Sequence, residues 1–200
     1  MLVFGALCAI SGLICLAWAV NLLTAFLGAV TIVSYLFAYT PLKRKTWLNT
    51  AVGAIPGALP PLMGWAAARN QLDASGWSLF AILFFWQIPH FLAIAWMYRE
   101  DYAEAGFVML PAVDPDGFRT GRQAVSHTFG LLFMSLLPVI LGMAGAIYFS
   151  GAVLLGGLFL FCAFQFSNSL SRSRARRLFF ASIIYLPLLL LLMVLDKIKY

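Results

Sequence analysis

Seven apolar stretches, each about as long as a membrane-spanning helix, constrain the fold of this chain more than any other feature. A helix that crosses a bilayer core of about 30 Å needs roughly 17–25 mostly apolar residues. Charged residues make up only 10% of the chain and apolar residues 63%, so the protein surface must face lipid. The sequence therefore predicts an all-α membrane protein with a single domain, residues 1–200. Its seven predicted transmembrane helices are 1–20, 22–40, 50–68, 78–97, 127–149, 152–168 and 178–195.

The connections between these helices can be placed from length and composition. The first apolar run is too long for one span, because forty helical residues extend about 60 Å, so we expect a tight turn near Asn21. A second turn is expected near Ser150 and Gly151, and the one substantial loop is 98–126. The stretch 53–64 contains three prolines, which predicts a broken helix that either lines a cavity or is simply kinked.

The distribution of Lys and Arg predicts the orientation in the membrane. Ten of the 13 basic residues fall in loops 41–49, 98–126 and 169–177, which lie on one side. Basic loops stay in the cytoplasm, so this side and the N-terminus are predicted to be cytoplasmic, in a bacterial inner membrane. The net charge of +6 comes without a long basic run, and we expect no nucleic-acid partner.

Carboxylates are concentrated in the loop 98–126, which holds five of the seven acidic residues. If the segment after Tyr98 stays helical, Glu100 and Glu104 share one face and Asp101 lies beside them. Such hard oxygen ligands suit Mg²⁺, which typically binds one or two carboxylates together with substrate phosphates. The alternative is a solvated turn whose charges simply face water.

Two further groups have a functional and a structural interpretation. The cluster Lys43-Arg44-Lys45 could hold a diphosphate, or could only anchor the chain at the membrane surface. His90 lies about one turn from the middle of a predicted helix, where ionisable groups usually face the bundle interior. It could orient a polar substrate, ligate an iron, or be a core histidine bonded to a carbonyl. These residues alone fit a lipid diphosphate enzyme or an anion transporter.

Four sequence blocks resemble one family of membrane enzymes, the protohaem IX farnesyltransferases (haem O synthases) of the UbiA-type intramembrane prenyltransferases. The blocks occur in the family's order, and the resemblance covers essentially the whole chain. They are residues 39–49 (YTPLKRKTWLN), 53–61 (GAIPGALPP), 86–90 (WQIPH) and 98–111 (YREDYAEAGFVMLP).

The resemblance implies nine transmembrane helices around a central cavity and a defined reaction. A farnesyl group passes from farnesyl diphosphate to a vinyl group of haem b, and water completes the product, haem O. Mg²⁺ is the implied cofactor, membrane lipid surrounds the protein, and haem A synthase is an implied partner. Asp101 matches an acidic motif for Mg²⁺ and diphosphate, and Glu104 is placed to help it as a catalytic and metal-binding residue. The residues assigned to substrate binding are Lys43, Arg44, His90, Arg99 and Tyr102.

The chain departs from the family pattern at its start. The family's first acidic motif, Asn-x-x-x-Asp-x-x-x-Asp, has no match, and the resemblance begins at the family's third helix. We therefore expect the chain to be an incomplete form that lacks the first two helices and half of the metal-diphosphate site. The rival functions are prenyl transfer to a quinone or chlorin ring, and a non-enzymatic transporter or lipid-binding protein.

Overall fold

The structure is a computed structural model that describes residues 2–198, with side chains from residue 3 onward. Its elements in chain order are α1 (Leu2–Ala19), α2 (Leu22–Leu42), α3 (Asn49–Arg69), α4 (Ala74–Met97), α5 (Arg99–Glu104), α6 (Leu110–Val113), α7 (Phe118–Ile140), α8 (Ala146–Ser169) and α9 (Arg172–Leu195). Met1, included in the first predicted helix, and Lys199, counted among the outer basic residues, lie outside the described part. The all-α membrane fold predicted from the sequence is confirmed.

The predicted count of seven spanning helices is slightly wrong. Within the described residues six helices, α2, α3, α4, α7, α8 and α9, are long and apolar enough to cross a membrane. The apolar part of α1, Val3–Ala19, is shorter. The predicted turn near Asn21 is confirmed, because the Asn21 side chain accepts a hydrogen bond from the backbone N–H of Thr24 and caps α2.

The second predicted turn is wrong, because Ser150 and Gly151 lie inside α8. The chain turns instead over 141–145, where Gly142 adopts φ 71°. Asp196, at the end of α9, fixes this position: its carboxylate accepts the backbone N–H of Tyr148 at 2.8 Å and so caps α8. Hydropathy could not indicate this cap, which joins residues 48 positions apart.

The polar first turns of two helices also lay outside the predicted spans. Helix α9 begins at Arg172, with Ser171 accepting from the backbone N–H of Arg174, and α7 begins at Phe118. Helix α7 buries Thr120, Gly121 and Ala124 while its arginines stay exposed, so packing extends it beyond its apolar part. The loop predicted as 98–126 therefore ends at residue 117 and contains the short helices α5 and α6.

The proline-rich stretch forms a continuous helix, which corrects the predicted break. Pro56, Pro60 and Pro61 all lie inside α3. Its buried residues Ala54, Ala58, Leu62 and Ala66 recur every fourth position and form one face toward its neighbours. Small residues on that face allow close helix packing, and this packing maintains the helix despite the missing N–H groups.

Helix α4 lies at the centre of the bundle. It packs against α3, α7 and α9, while α8 joins α7 to α9 and α2 covers α3. Helix α1 packs chiefly on α2 and leaves most of its side chains exposed. From this central position α4 contacts α3 with some of its side chains and α9 with others.

Candidate active site

A cavity of about 310 Å³ opens between α2, α3 and α4, beneath the loop that follows α5. Its wall combines aromatic rings and small residues with one cation and one amide. The lining residues are Tyr35, Tyr39, Lys43, Thr50, Gly53, Pro56, Gly57, Gln87, Phe91, Tyr102, Phe107 and Met109. This mostly apolar interior with a few polar groups is typical of a ligand site.

Two glycines one turn apart on α3 make room for the cavity wall. The ring of Tyr39 lies against Gly53 so closely that a Cβ there would be 2.7 Å from Tyr39 Cδ2. At Gly57 a Cβ would overlap the Gln87 side-chain oxygen and lie 3.0 Å from its Cδ. The groups that approach these two glycines are a phenol ring and an amide.

The amide of Gln87 is fixed at the base of the cavity. Gln87 is only 5% exposed, and its Nε2 donates to the carbonyl of Leu83 at 3.1 Å and of Ala54 at 3.4 Å. Its Oε1 accepts no hydrogen bond from the described residues. An oriented carbonyl dipole with its negative end available is therefore part of the cavity wall.

At the mouth, Lys43 lies over two tyrosine rings. Its Nζ is 4.4 Å from the ring centroid of Tyr39 and 5.9 Å from that of Tyr35, which are distances of cation–π contact. The two rings meet edge to face at 5.2 Å. The ammonium group is thereby held at the mouth, where it can meet an anion.

A clamp on Val108 ties the loop to this mouth. The Val108 N–H donates to the Lys43 carbonyl at 2.8 Å, and its carbonyl accepts from Asn49 Nδ2 at 2.7 Å. Asn49 is fully buried and also donates to the Thr46 carbonyl at 2.6 Å. This clamp holds the loop, and with it Tyr102 and Phe107, over the cavity.

A second, more polar cavity of about 380 Å³ lies beside the first turn of α9. Residues 96–101 line it, together with Leu170 and Arg172. The Arg99 guanidinium lies 4.8 Å from the Trp96 ring centroid, and Glu100 and Asp101 contribute carboxylates. Within the described residues no cluster of three or more His, Cys, Asp and Glu could hold a metal ion.

The structure brings together some of the residues that the sequence singled out and separates others. Lys43 and Tyr102 line the first cavity, whereas Arg99 and Asp101 line the second. Glu104 and Arg44 are exposed on the same rim, with Arg44 lying 5.8 Å from the Phe107 ring centroid. His90 packs between α4 and α9, away from both cavities. The catalytic and metal-binding roles of these residues stay predictions.

Sequence reasoning missed Asn49 and the roles of Tyr35 and Tyr39. Their functions depend on contacts with Val108 and Lys43 that form only in the folded chain. The one usable signal was a polar residue, Asn49, at the start of an apolar stretch.

Comparison with known proteins identifies the family. The sequence matches the description "UbiA prenyltransferase family" over residues 1–184, which is most of the chain. The chain belongs to the UbiA prenyltransferase family. Among its relatives, the protoheme IX farnesyltransferase of Solibacter usitatus is 52% identical over 98% of this chain and 67% of its own length. The protein of that name from Opitutus terrae is 45% identical over 98% of this chain and 66% of its own.

The mitochondrial protoheme IX farnesyltransferase of Homo sapiens is 41% identical over 97% of this chain and 43% of its own length. This UbiA-family chain thus spans between 43% and 67% of the length of these three curated relatives. A solved structure described as digeranylgeranylglyceryl phosphate synthase superposes with a TM-score of 0.74, covering 98% of this chain and 69% of that one. At 18% identity it shows the UbiA fold alone. The resemblance found in the four sequence blocks is confirmed.

Proposed function

We propose that this UbiA-family protein transfers a farnesyl group from farnesyl diphosphate to a vinyl group of haem b, forming haem O. The observation that carries the proposal is the aromatic cavity with Lys43 at its mouth, in a chain 52% identical to a protoheme IX farnesyltransferase. The anionic diphosphate fits the cationic rim, and the isoprenoid tail fits the apolar interior. A quinone or chlorin acceptor lacks comparable support among the relatives.

The residues of the chain act on both halves of the donor. Lys43 and Arg44 bind diphosphate oxygens, Lys as a point charge and Arg as a planar fork. The C–O bond to the farnesyl C1 breaks, and diphosphate leaves with the electron pair. The rings of Tyr35, Tyr39 and Phe91 surround the allylic cation, stabilise it through their faces and exclude water.

The acceptor then completes the reaction. The vinyl π pair forms the new C–C bond to C1, and the resulting cation takes up water and loses a proton to give the hydroxyl group. The Oε1 of Gln87 directs the negative end of its dipole into the cavity, where positive charge develops. Such preorganised dipoles stabilise a transition state without reorganisation.

Mg²⁺ fits the carboxylates on the rim. Asp101 and Glu104 are exposed, three residues apart on α5, and Mg²⁺ typically needs only one or two carboxylates when phosphates supply the rest. Asp101 would hold the ion with help from Glu104, and the ion would neutralise the departing diphosphate. We place this rim on the cytoplasmic side of a bacterial inner membrane, as the basic loops favour.

Asp101→Asn tests the proposal. The substitution removes a charge with little change in volume. We expect haem O formation to fall at least about 100-fold, since metal-borne charge stabilisation is worth several kcal/mol. Affinity for farnesyl diphosphate should also lose its dependence on Mg²⁺. The matched control is Asp116→Asn, an exposed carboxylate on the same loop, which should leave both unchanged.

The measurements are haem O by mass spectrometry and Mg²⁺-dependent binding of labelled farnesyl diphosphate to the protein in membranes. If Asp101→Asn keeps normal turnover and normal Mg²⁺-dependent binding, Asp101 does not bind the ion and its carboxylate simply faces water. Prenylation of a quinone in place of haem b would overturn the assigned acceptor.

A further inference from the structure

His90 is held in one tautomer by a chain of hydrogen bonds to α9. The Ser182 hydroxyl donates to the carbonyl of Phe179 at 2.6 Å, and His90 Nδ1 lies 2.7 Å from the same hydroxyl oxygen. A hydroxyl has one proton to give, and here the Phe179 carbonyl takes it. Nδ1 must therefore carry a proton and donate to Ser182, which leaves the lone pair of the neutral ring on Nε2.

Both faces of the His90 ring are covered. Trp86 stacks on it at 4.7 Å between centroids and Phe179 at 5.1 Å. The Trp86 ring is itself anchored, since its indole N–H donates to the Ser182 carbonyl at 2.8 Å. Nε2 accepts no hydrogen bond from the described residues and is not enclosed. The free edge of the ring is thus a Lewis base whose orientation is fixed, as in metal-ligating histidines.

Two arginines lie on the same surface, toward the start of α9. Arg172 and Arg176 line a cavity of about 630 Å³ together with Met97, Tyr98, Phe179 and Phe180. Both arginines are exposed, and Arg172 also lines the second cavity beside Glu100 and Asp101. Arg176 precedes Ser182 by six residues, a helix rise of about 9 Å. Phe179, which stacks on His90, and the two arginines thus line one cavity, so a ligand in that cavity would lie beside the His90 ring.

We propose that this surface between α4 and α9 binds the acceptor, with His90 Nε2 as the axial ligand of the haem iron and Arg172 and Arg176 binding its propionates. The inference rests on the proposed function. Guanidinium forks match carboxylates, and the aromatic and methionine side chains suit a flat macrocycle. The donor cavity adjoins this surface, because Phe91, which lines that cavity, meets the His90 ring edge to face at 5.4 Å between centroids. The donor and acceptor sites therefore adjoin at α4, as formation of a bond between the two substrates requires.

The iron contact is tested by adding ferric haem b to the purified protein and recording absorption and electron paramagnetic resonance spectra. The wild type should show a histidine-ligated iron. His90→Ala should lose that signature and regain it when imidazole is added, a rescue that a purely structural histidine would not show. Ser182→Ala should weaken binding about 10- to 100-fold by releasing the ring. His127→Ala, the other histidine of the chain, is the matched control and should keep the wild-type spectrum.

The propionate contact is tested with haem b and its dimethyl ester. Arg172→Gln and Arg176→Gln should each weaken haem b binding about tenfold, equal to about 1.4 kcal/mol, and leave ester binding unchanged. Arg177→Gln, an exposed neighbour that does not line the cavity, is the control.

A wild-type spectrum in His90→Ala, or equal losses for haem and ester, would overturn the inference. Absence of haem binding by the wild type would do the same. Turnover to haem O by the wild type is measured separately, so the proposed function stands or fails independently of the site.

Discussion

Gly57→Ala should destabilise the protein, although the same change usually stabilises a helix. The new Cβ would overlap the side-chain oxygen of Gln87 and lie 3.2 Å from its Nε2. The amide has little room to move, since Gln87 is 5% exposed and bonded to the carbonyls of Leu83 and Ala54. The substitution must therefore displace a buried hydrogen-bonded group.

The size of the effect follows from opposing contributions. Overpacking costs about 1–3 kcal/mol, and each hydrogen bond lost with the amide about 0.5–1.5 kcal/mol. Replacing glycine in a helix returns about 1 kcal/mol. We expect a net loss of about 1–3 kcal/mol in the free energy of unfolding. For a chain of this length the melting temperature should fall by roughly 2–10 °C.

Gly64→Ala is the matched control on the same helix. A Cβ at Gly64 meets nothing within 4 Å, so this variant should melt at or above the wild-type temperature. The double variant Gly57→Ala/Gln87→Ala removes the obstacle and should show a favourable coupling of about 1 kcal/mol or more. Thermal denaturation in detergent, followed by circular dichroism, measures all three. If Gly57→Ala melts together with Gly64→Ala, the amide is not fixed as described.

Two further predictions concern the opposite side of the bundle. The Gly76 N–H, which donates to Asp73 at 3.0 Å, lowers the pKa of this carboxyl below its ordinary value. The cap therefore stabilises the protein above about pH 4, and the contribution is lost as the pH falls through the lowered pKa. Asp73→Ala should cost about 1 kcal/mol at pH 7 and less at pH 2, where the neutral carboxyl caps more weakly, whereas Asp73→Asn keeps a neutral capping oxygen and should remove this pH dependence; melting curves at both pH values check this. In a background without the native cysteines, an impermeant maleimide added outside intact cells should label Gln71→Cys and not Lys45→Cys, and the reverse pattern would overturn the proposed orientation.

The sequence predicted those parts of the fold that depend on one segment at a time. Apolar length located the helices, and the basic loops suggested a sidedness, because both depend on transfer between water and lipid. The errors arose where a distant residue decides the local structure. Asp196 caps α8 and thereby moves the turn away from Ser150, and the packed face of Ala54 and Ala58 keeps α3 helical through its prolines.

The candidate site shows the same division. The sequence blocks included Lys43 and Tyr102, which line the same cavity. They could not show that Val108, by its hydrogen bonds to Lys43 and Asn49, holds the loop that follows Tyr102 over this cavity. They also named His90 among the substrate-binding residues, and the structure packs it against Ser182 and Phe179 of α9, outside the lining of the first two cavities.

Helix α4 explains how two substrates of different chemistry can be brought together in one small bundle. Gln87 and His90 are three residues apart, about one turn along the helix and about 60° apart around it, yet they contact different helices, α3 and α9. Each depends on a residue of its neighbouring helix: Gly57 of α3 leaves space for the amide, and Ser182 of α9 fixes the imidazole. A donor bound beside Gln87 and an acceptor bound beside His90 would be positioned by the same rigid helix. A shift of α4 would therefore alter both sites together, whereas a change at Gly57 or at Ser182 should affect only one.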